Sequence, residues 1–171
     1  MNKKVTDVDL ERTINEYSDM LYKICYIILK NENDVKDVLQ ETFIKYMTKS
    51  PEFKSEDHKK AWLIKVSQNK CKEFLRFHKR HAAVPLDEVE ESISVTNGMD
   101  AYTTETMSLI WNLNYKLKSV VILYYIEGYS VIEVSQMLGI SESAVKKRLE
   151  RARKELRMVA DVEGGLVYER I

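Results

Sequence analysis

The 171-residue sequence contains only five glycines and two prolines. So few chain breakers, among many Leu, Ile, Lys and Glu, exclude a turn-rich strand architecture and point to an all-α protein. Cysteine is almost missing: Cys25 and Cys71 both fall inside helical patterns and read as reduced core thiols, not a disulfide. Catalysis would need a nucleophile with its base, paired carboxylates or a metal cluster. The three histidines, His58, His78 and His81, have no Cys or carboxylate at convincing zinc-ligand spacing, and no Gly-rich phosphate loop occurs. An enzyme is therefore disfavoured, and neither metal nor cofactor is expected. Long apolar runs are lacking too, since Leu21–Leu29 is interrupted by Lys23 and is too short to span a bilayer. The opening MNKKVTDVDL leads into charged, helix-like sequence, so no secretory signal is expected.

Charge is balanced, 27 Lys and Arg against 27 Asp and Glu, yet it is unevenly placed. Residues 7–45 carry net −4, 59–81 net +7, and 85–108 net −6. A second basic stretch follows. Two separate polyanion-binding surfaces are the simplest reading.

That second stretch, SVIEVSQMLGISESAVKKRLERARKELR from Ser130 to Arg157, reads as two helices and a tight turn. Ser130 with Glu133 makes a capping box, Val131, Val134 and Leu138 an apolar face, and Gly139 a helix end. Ser141 can cap the second helix, whose Val145, Leu149, Ala152, Leu156 and Val159 share one side. Opposite lie Ser143, Lys147, Glu150, Arg151, Lys154 and Arg157. From Ser141 to Met158, seven Lys/Arg stand against three Glu, net +4. A helix-turn-helix with a cationic outer face suits duplex DNA, because it neutralises phosphates while Arg and Lys reach guanine edges. The competing reading is a merely solvated amphipathic helix.

Earlier in the chain a helix is expected from about Asp9 to Lys30, with Leu10, Ile14, Tyr17, Leu21, Ile24 and Ile28 facing the core. Asn31–Asn33 marks a turn, with Asn33 or Asp34 as the next cap. The following helix should bury Val35, Val38, Leu39, Phe43 and Tyr46 or Met47. Its polar side, Asp37, Gln40, Glu41 and Lys45, reads on composition alone as ordinary surface. After Ser50-Pro51, a long helix from about Asp57 to Arg80 carries Lys65, Asn69, Lys72, Arg76 and Lys79 along one stripe. Trp62, Leu63, Val66, Phe74, Leu75 and Phe77 can pack inward. The ladder fits a nucleic-acid strand, with Trp62 able to stack on exposed bases, or equally a Lys-rich solubilising face. Residues 81–103 read as a flexible acidic linker. Two helices, Met107–Leu113 and Lys116–Glu127, then support the helix-turn-helix, and the end of the chain looks like a frayed tail.

In this order the pieces resemble the extracytoplasmic-function (ECF) sigma factors of bacterial RNA polymerase. DVKDVLQETFIKYM is similar to the family's polymerase-binding helix, through Asp37, Gln40, Glu41 and Phe43 of the D-x-x-Q-E-x-F pattern. KKAWLIKVSQNKCKEFLRFHKR resembles its promoter-opening helix. EGYSVIEVSQMLGIS and AVKKRLERARKEL resemble its helix-turn-helix. The resemblance implies two small helical domains, 8–80 and 104–160, joined by linker 81–103 and followed by tail 161–171. It implies core polymerase as partner, through the β′ clamp and β subunits, with Asp34, Asp37, Gln40, Glu41 and Phe43 docking there. Trp62, Lys65, Asn69, Lys72, Arg76, Lys79 and Arg80 would hold the minus-ten element. Ser141, Ser143, Lys146, Lys147, Arg148, Glu150, Arg151 and Lys154 would serve the minus-thirty-five element, with Arg148, Arg153 and Lys154 toward phosphates or the domain surface. An anti-sigma factor is a further implied partner, and the expected location is cytoplasmic, free or held at the membrane by that factor.

The sequence departs from the family pattern at Asn114, where Pro is usual, at Leu117, near the usual Arg, and at Ala144 and Lys147, where Thr and Ser are commoner. No extra domain separates the two halves, which excludes the larger housekeeping type. The chief alternative is an ordinary helix-turn-helix regulator, which leaves the basic ladder and the Asp37–Phe43 helix unused.

Overall fold

The computed structural model describes residues 5–81 and 108–163, with side chains through Arg157. The chain divides into two compact units, Met1–Glu91 and Ser92–Ile171. Among the described residues all regular elements are helices. The expected linker, apart from His81, lies outside the described residues, as do Met107 and the side chain of Val159.

The first unit packs three helices against one another: α1 (Asp7–Leu29), α2 (Glu32–Lys49) and α3 (Glu56–His81). Thr6 caps α1 by accepting the Asp9 amide at 3.2 Å, and Asp7 and Asp9 place negative charge at the positive end of its dipole. At the other end Lys30 takes a left-handed conformation, φ +58°. That single residue turns the chain, so Asn31 is already extended and accepts the Asp34 amide at 3.0 Å. The cap is thus Asn31, not Asn33 or Asp34.

Tyr17, Leu21, Ile24, Cys25, Ile27 and Ile28 of α1 meet Val35, Val38 and Tyr46 of α2 and Leu63, Ile64, Val66 and Cys71 of α3. Leu10 and Ile14 are only half-buried, and Thr13 occupies the core instead, donating to the Tyr46 hydroxyl at 3.2 Å. In α2 the buried stripe is Val35, Val38, Thr42 and Tyr46, which leaves Leu39 and Phe43 at its border. One residue beyond Tyr46 is a turn of about 100°, and this carries Met47 to the surface. Cys71 is the last buried residue of α3. None of the ten residues beyond it, about 15 Å of helix, is fully buried. Phe77 therefore does not pack inward but is 58% exposed, and Phe74 and Leu75 are half-buried.

In the second unit, Leu109, Ile110 and Leu113 are buried ahead of α4 (Tyr115–Val121). Asn114 caps α4, its side chain accepting the Leu117 amide at 3.2 Å. The expected continuous helix to Glu127 instead changes winding at Ile122–Ile126, a π-helical turn in which the Glu127 amide reaches back five residues to the Ile122 carbonyl at 2.9 Å. Gly128, at φ +74°, then allows the reversal that leads into α5 (Val131–Leu138) and α6 (Glu142–Glu163). The core joins Leu117 and Val120–Leu123 to Val134, Met137, Val145, Leu149, Ala152 and Leu156. Of the expected α5 face only Val134 is fully buried, with Met137 beside it, while Val131 and Leu138 are half-exposed.

Candidate nucleic-acid and partner interfaces

The turn between α5 and α6 is held by side chains at both ends. Ser130 Oγ accepts the Glu133 amide at 3.3 Å, and Glu133 Oε2 accepts the Ser130 amide at 2.8 Å. These two bonds close the capping box, and the Ser130 amide, helped by the Ser130 hydroxyl donating to the same oxygen at 2.8 Å, holds the Glu133 carboxyl below its usual range. Gly139 adopts φ +64°, and Ser141 Oγ accepts the Ala144 amide at 3.1 Å to start α6. With Val145, Leu149, Ala152 and Leu156 buried, Ser143, Lys147, Glu150, Arg151 and Lys154 stand exposed on the opposite face. Ser141 and Lys146 are exposed beside them, and Arg148 is half-buried. Arg153 turns inward and donates to the Tyr125 hydroxyl at 2.9 Å, tying α6 to the π-helical turn.

On α3 the predicted ladder forms a continuous stripe: Lys65, Asn69, Arg76 and Lys79 are exposed and Lys72 is half-buried. Arg80 is exposed beyond it. Trp62 is half-buried in an aromatic cluster, its ring 5.6 Å from Phe53 and 6.4 Å from Tyr46. The start of α3 is fastened to α1. Lys59, nearly fully buried, donates to Glu56 at 2.9 Å, and the Tyr17 hydroxyl donates to the same carboxylate at 3.2 Å. The Lys59 hydrogen bond, with smaller help from Tyr17 and Arg12, lowers the Glu56 pKa.

Asp37, Gln40 and Glu41 share an exposed face of α2; Asp34 is half-buried at the helix start, and Phe43 lies off that face, also half-buried. Two residues missed by the sequence reading continue the face. Ile44 is 49% and Met47 43% exposed, and the spacing of positions 37, 40, 41, 44 and 47 is the signal that could have found them. Glu41 accepts Lys70 of α3 at 3.0 Å, and Lys70 also reaches Glu73 at 3.2 Å. The bond to Glu41 raises the Lys70 pKa, so its charge is secure. Between α2 and α3 opens a groove of about 400 Å³, lined in part by Asp37, Gln40, Glu41, Glu73, Phe74 and Phe77. Among the described residues no cluster of His, Cys, Asp and Glu could hold a metal ion, and no helix is long and apolar enough to cross a membrane.

Two helical units, one with a basic stripe and one with a helix-turn-helix, match known families in the same order. Residues 13–81 match sigma-70 region 2, and residues 105–156 match sigma-70 region 4. Among curated proteins the chain is 26% identical over 156 residues to the RNA polymerase sigma factor SigV of Bacillus subtilis, covering 91% of this chain and 93% of that one. It is 26% identical over 163 residues to the ECF RNA polymerase sigma factor SigW of the same organism, covering 84% of each. Among solved structures, the fold resembles CnrH in complex with the cytosolic domain of CnrY (24% identity, TM-score 0.67, 93% of this chain and 92% of that one). It also resembles the sigma factor RpoE in complex with the anti-sigma factor NepR from Bartonella quintana (20% identity, TM-score 0.73, 91% and 98%). The chain belongs to the ECF subfamily of RNA polymerase sigma factors.

Proposed function

We propose that this sigma factor docks on core RNA polymerase through the exposed face of α2 and reads a promoter with two separate cationic helices. Promoter recognition at transcription initiation is the function its family membership carries. Asp37, Gln40 and Glu41, with Asp34 and Phe43 at the border, meet the basic clamp of the β′ subunit, since an acidic face steers toward and pairs with cationic helices. Lys65, Asn69, Lys72, Arg76, Lys79 and Arg80 hold the opened minus-ten strand, with the half-buried Trp62 stacking on its bases. Lys146, Lys147, Glu150 and Arg151 lie nearest the bases of the minus-thirty-five duplex. Ser141, Ser143, Arg148 and Lys154 serve its backbone. Residues 8–81 form the polymerase and minus-ten domain and 104–163 the minus-thirty-five domain, with 82–103 as linker and 164–171 as tail, since α3 runs through His81 and α6 through Glu163. The protein contributes no catalysis of its own and works in the cytoplasm, under an anti-sigma factor that covers its surfaces or holds it at the membrane.

One observation carries this reading: an exposed basic stripe and a capped helix-turn-helix lie in different units of one chain, together with an acidic helix face. An ordinary regulator needs only the second. Run-off transcription with purified core polymerase on genomic fragments tests it. Discrete transcripts that depend on the added protein are expected, and none from any fragment would refute the reading.

A further inference from the structure

The groove between α2 and α3 contains more than the acidic face. Phe77 lines it and is 58% exposed, a large apolar ring that the core does not use. It is not loose: the His81 imidazole stacks on it at 4.1 Å, and His78 meets it edge-on at 5.8 Å. A ring held in place has less conformational entropy to lose when a partner covers it. Its helical phase also matters. Lys70, Glu73, Phe74 and Phe77 stand at i, i+3, i+4 and i+7, the spacing of one helix face, and Phe74 and Phe77 are turned away from the Lys65–Lys79 stripe. Phe77 therefore faces the acidic helix and not the row of cations.

We infer that Phe77, with Glu73 beside it, extends the polymerase-docking surface from α2 onto α3, and that the groove receives a basic helical segment of core polymerase with an apolar side chain seated on the Phe77 ring. The inference rests on the docking reading above. Charge selects the occupant. Asp37, Glu41 and Glu73 border the groove against a single cation, Lys70, which is shared between Glu41 and Glu73. A polyanion would be repelled there, whereas a helix bearing Lys or Arg around an apolar residue complements both features. The groove is continuous with Asp37, Gln40 and Glu41, so one partner can cover both. An aromatic side chain that a partner covers completely can carry a disproportionate share of interface energy.

The test measures affinity of the full-length protein for purified core polymerase, by competition against the native chain. Phe77→Ser is expected to weaken binding by at least about fivefold, Phe77→Leu to retain most of it, and Glu73→Lys to weaken it again. Because Phe77 is exposed, the variants should keep their helix content, which circular dichroism checks. Asp37→Lys with Glu41→Lys is measured alongside. If that pair leaves affinity unchanged, the docking reading itself fails. If the pair abolishes binding while Phe77→Ser does not alter it, only the groove inference falls. Normal core affinity in Phe77→Ser with lost binding of single-stranded minus-ten DNA by the holoenzyme would assign the ring to DNA and overturn it equally.

Discussion

The Lys59 ammonium lies inside the first unit, with Glu56 in hydrogen-bonding reach and the Tyr17 ring 5.8 Å away. The two partners are unequal, since Lys59 is 6% exposed along its side chain and Glu56 59%. Removing the anion strands a buried cation, whereas removing the cation leaves a carboxylate that water can solvate. Glu56→Gln should lower unfolding stability by about 1–2 kcal/mol, less than for a fully buried pair because solvent screens the exposed carboxylate. Lys59→Met should change it by less than about 1 kcal/mol. Urea unfolding of both variants decides; equal losses would mean the pair acts as simple surface charge. Glu133 gives a second test through pH. Its folded pKa is depressed by the Ser130 backbone and hydroxyl bonds, so its contribution is complete above the unfolded glutamate value and is lost as pH falls through the lower folded one. Protection of the Glu133 amide, corrected for intrinsic exchange, should fall below about pH 4 in the native chain. It should be lower but flat with pH in Glu133→Gln; an equal slope in both would remove the capping box as its cause.

At the scale of the element, α6 combines a buried side that positions it and a cationic side that can read bases. Arg151→Ala should cost about 1–3 kcal/mol in holoenzyme binding if it makes a bidentate base contact, concentrated on particular minus-thirty-five positions. Binding to a panel of single-base promoter variants shows which; a loss uniform over all of them would make Arg151 a phosphate contact. Much of this unit could be read from residues. Ser130 and Glu133 announce the capping box, Gly139 the left-handed turn and Ser141 the second cap, because each is a local hydrogen-bonding rule that needs no tertiary partner. The basic stripe of α3 was legible for the same reason, as helical phase alone aligns Lys65 with Lys79. What escaped depends on packing. Nothing in ILYYI says that the helix unwinds to a π turn, and the Asn31 cap follows from a left-handed Lys30, a conformation that sequence seldom signals in a non-glycine residue. Phe77 reads as core until it is known that burial along α3 ends at Cys71. Asn114, a departure from the family's proline, proves to do the capping itself.

For the whole molecule the governing fact is that zero net charge conceals two basic surfaces in two different units. Each alone has a modest claim on DNA, and acidic stretches elsewhere in the chain oppose indiscriminate binding. In the proposed function polymerase holds both units at once, so that engagement of one promoter element would raise the effective concentration of the other surface at its own. The full-length chain should accordingly bind a promoter duplex about 10²–10⁴-fold more weakly than its complex with core polymerase does. Free-chain binding should also fall steeply with added salt while discriminating little among sequences, as a phosphate-dominated contact does. Fluorescence anisotropy with matched and scrambled duplexes, with and without core polymerase, measures both quantities. Tight and sequence-specific binding by the free chain would make α2 and the α3 stripe dispensable, and the protein would then act as a self-sufficient helix-turn-helix regulator.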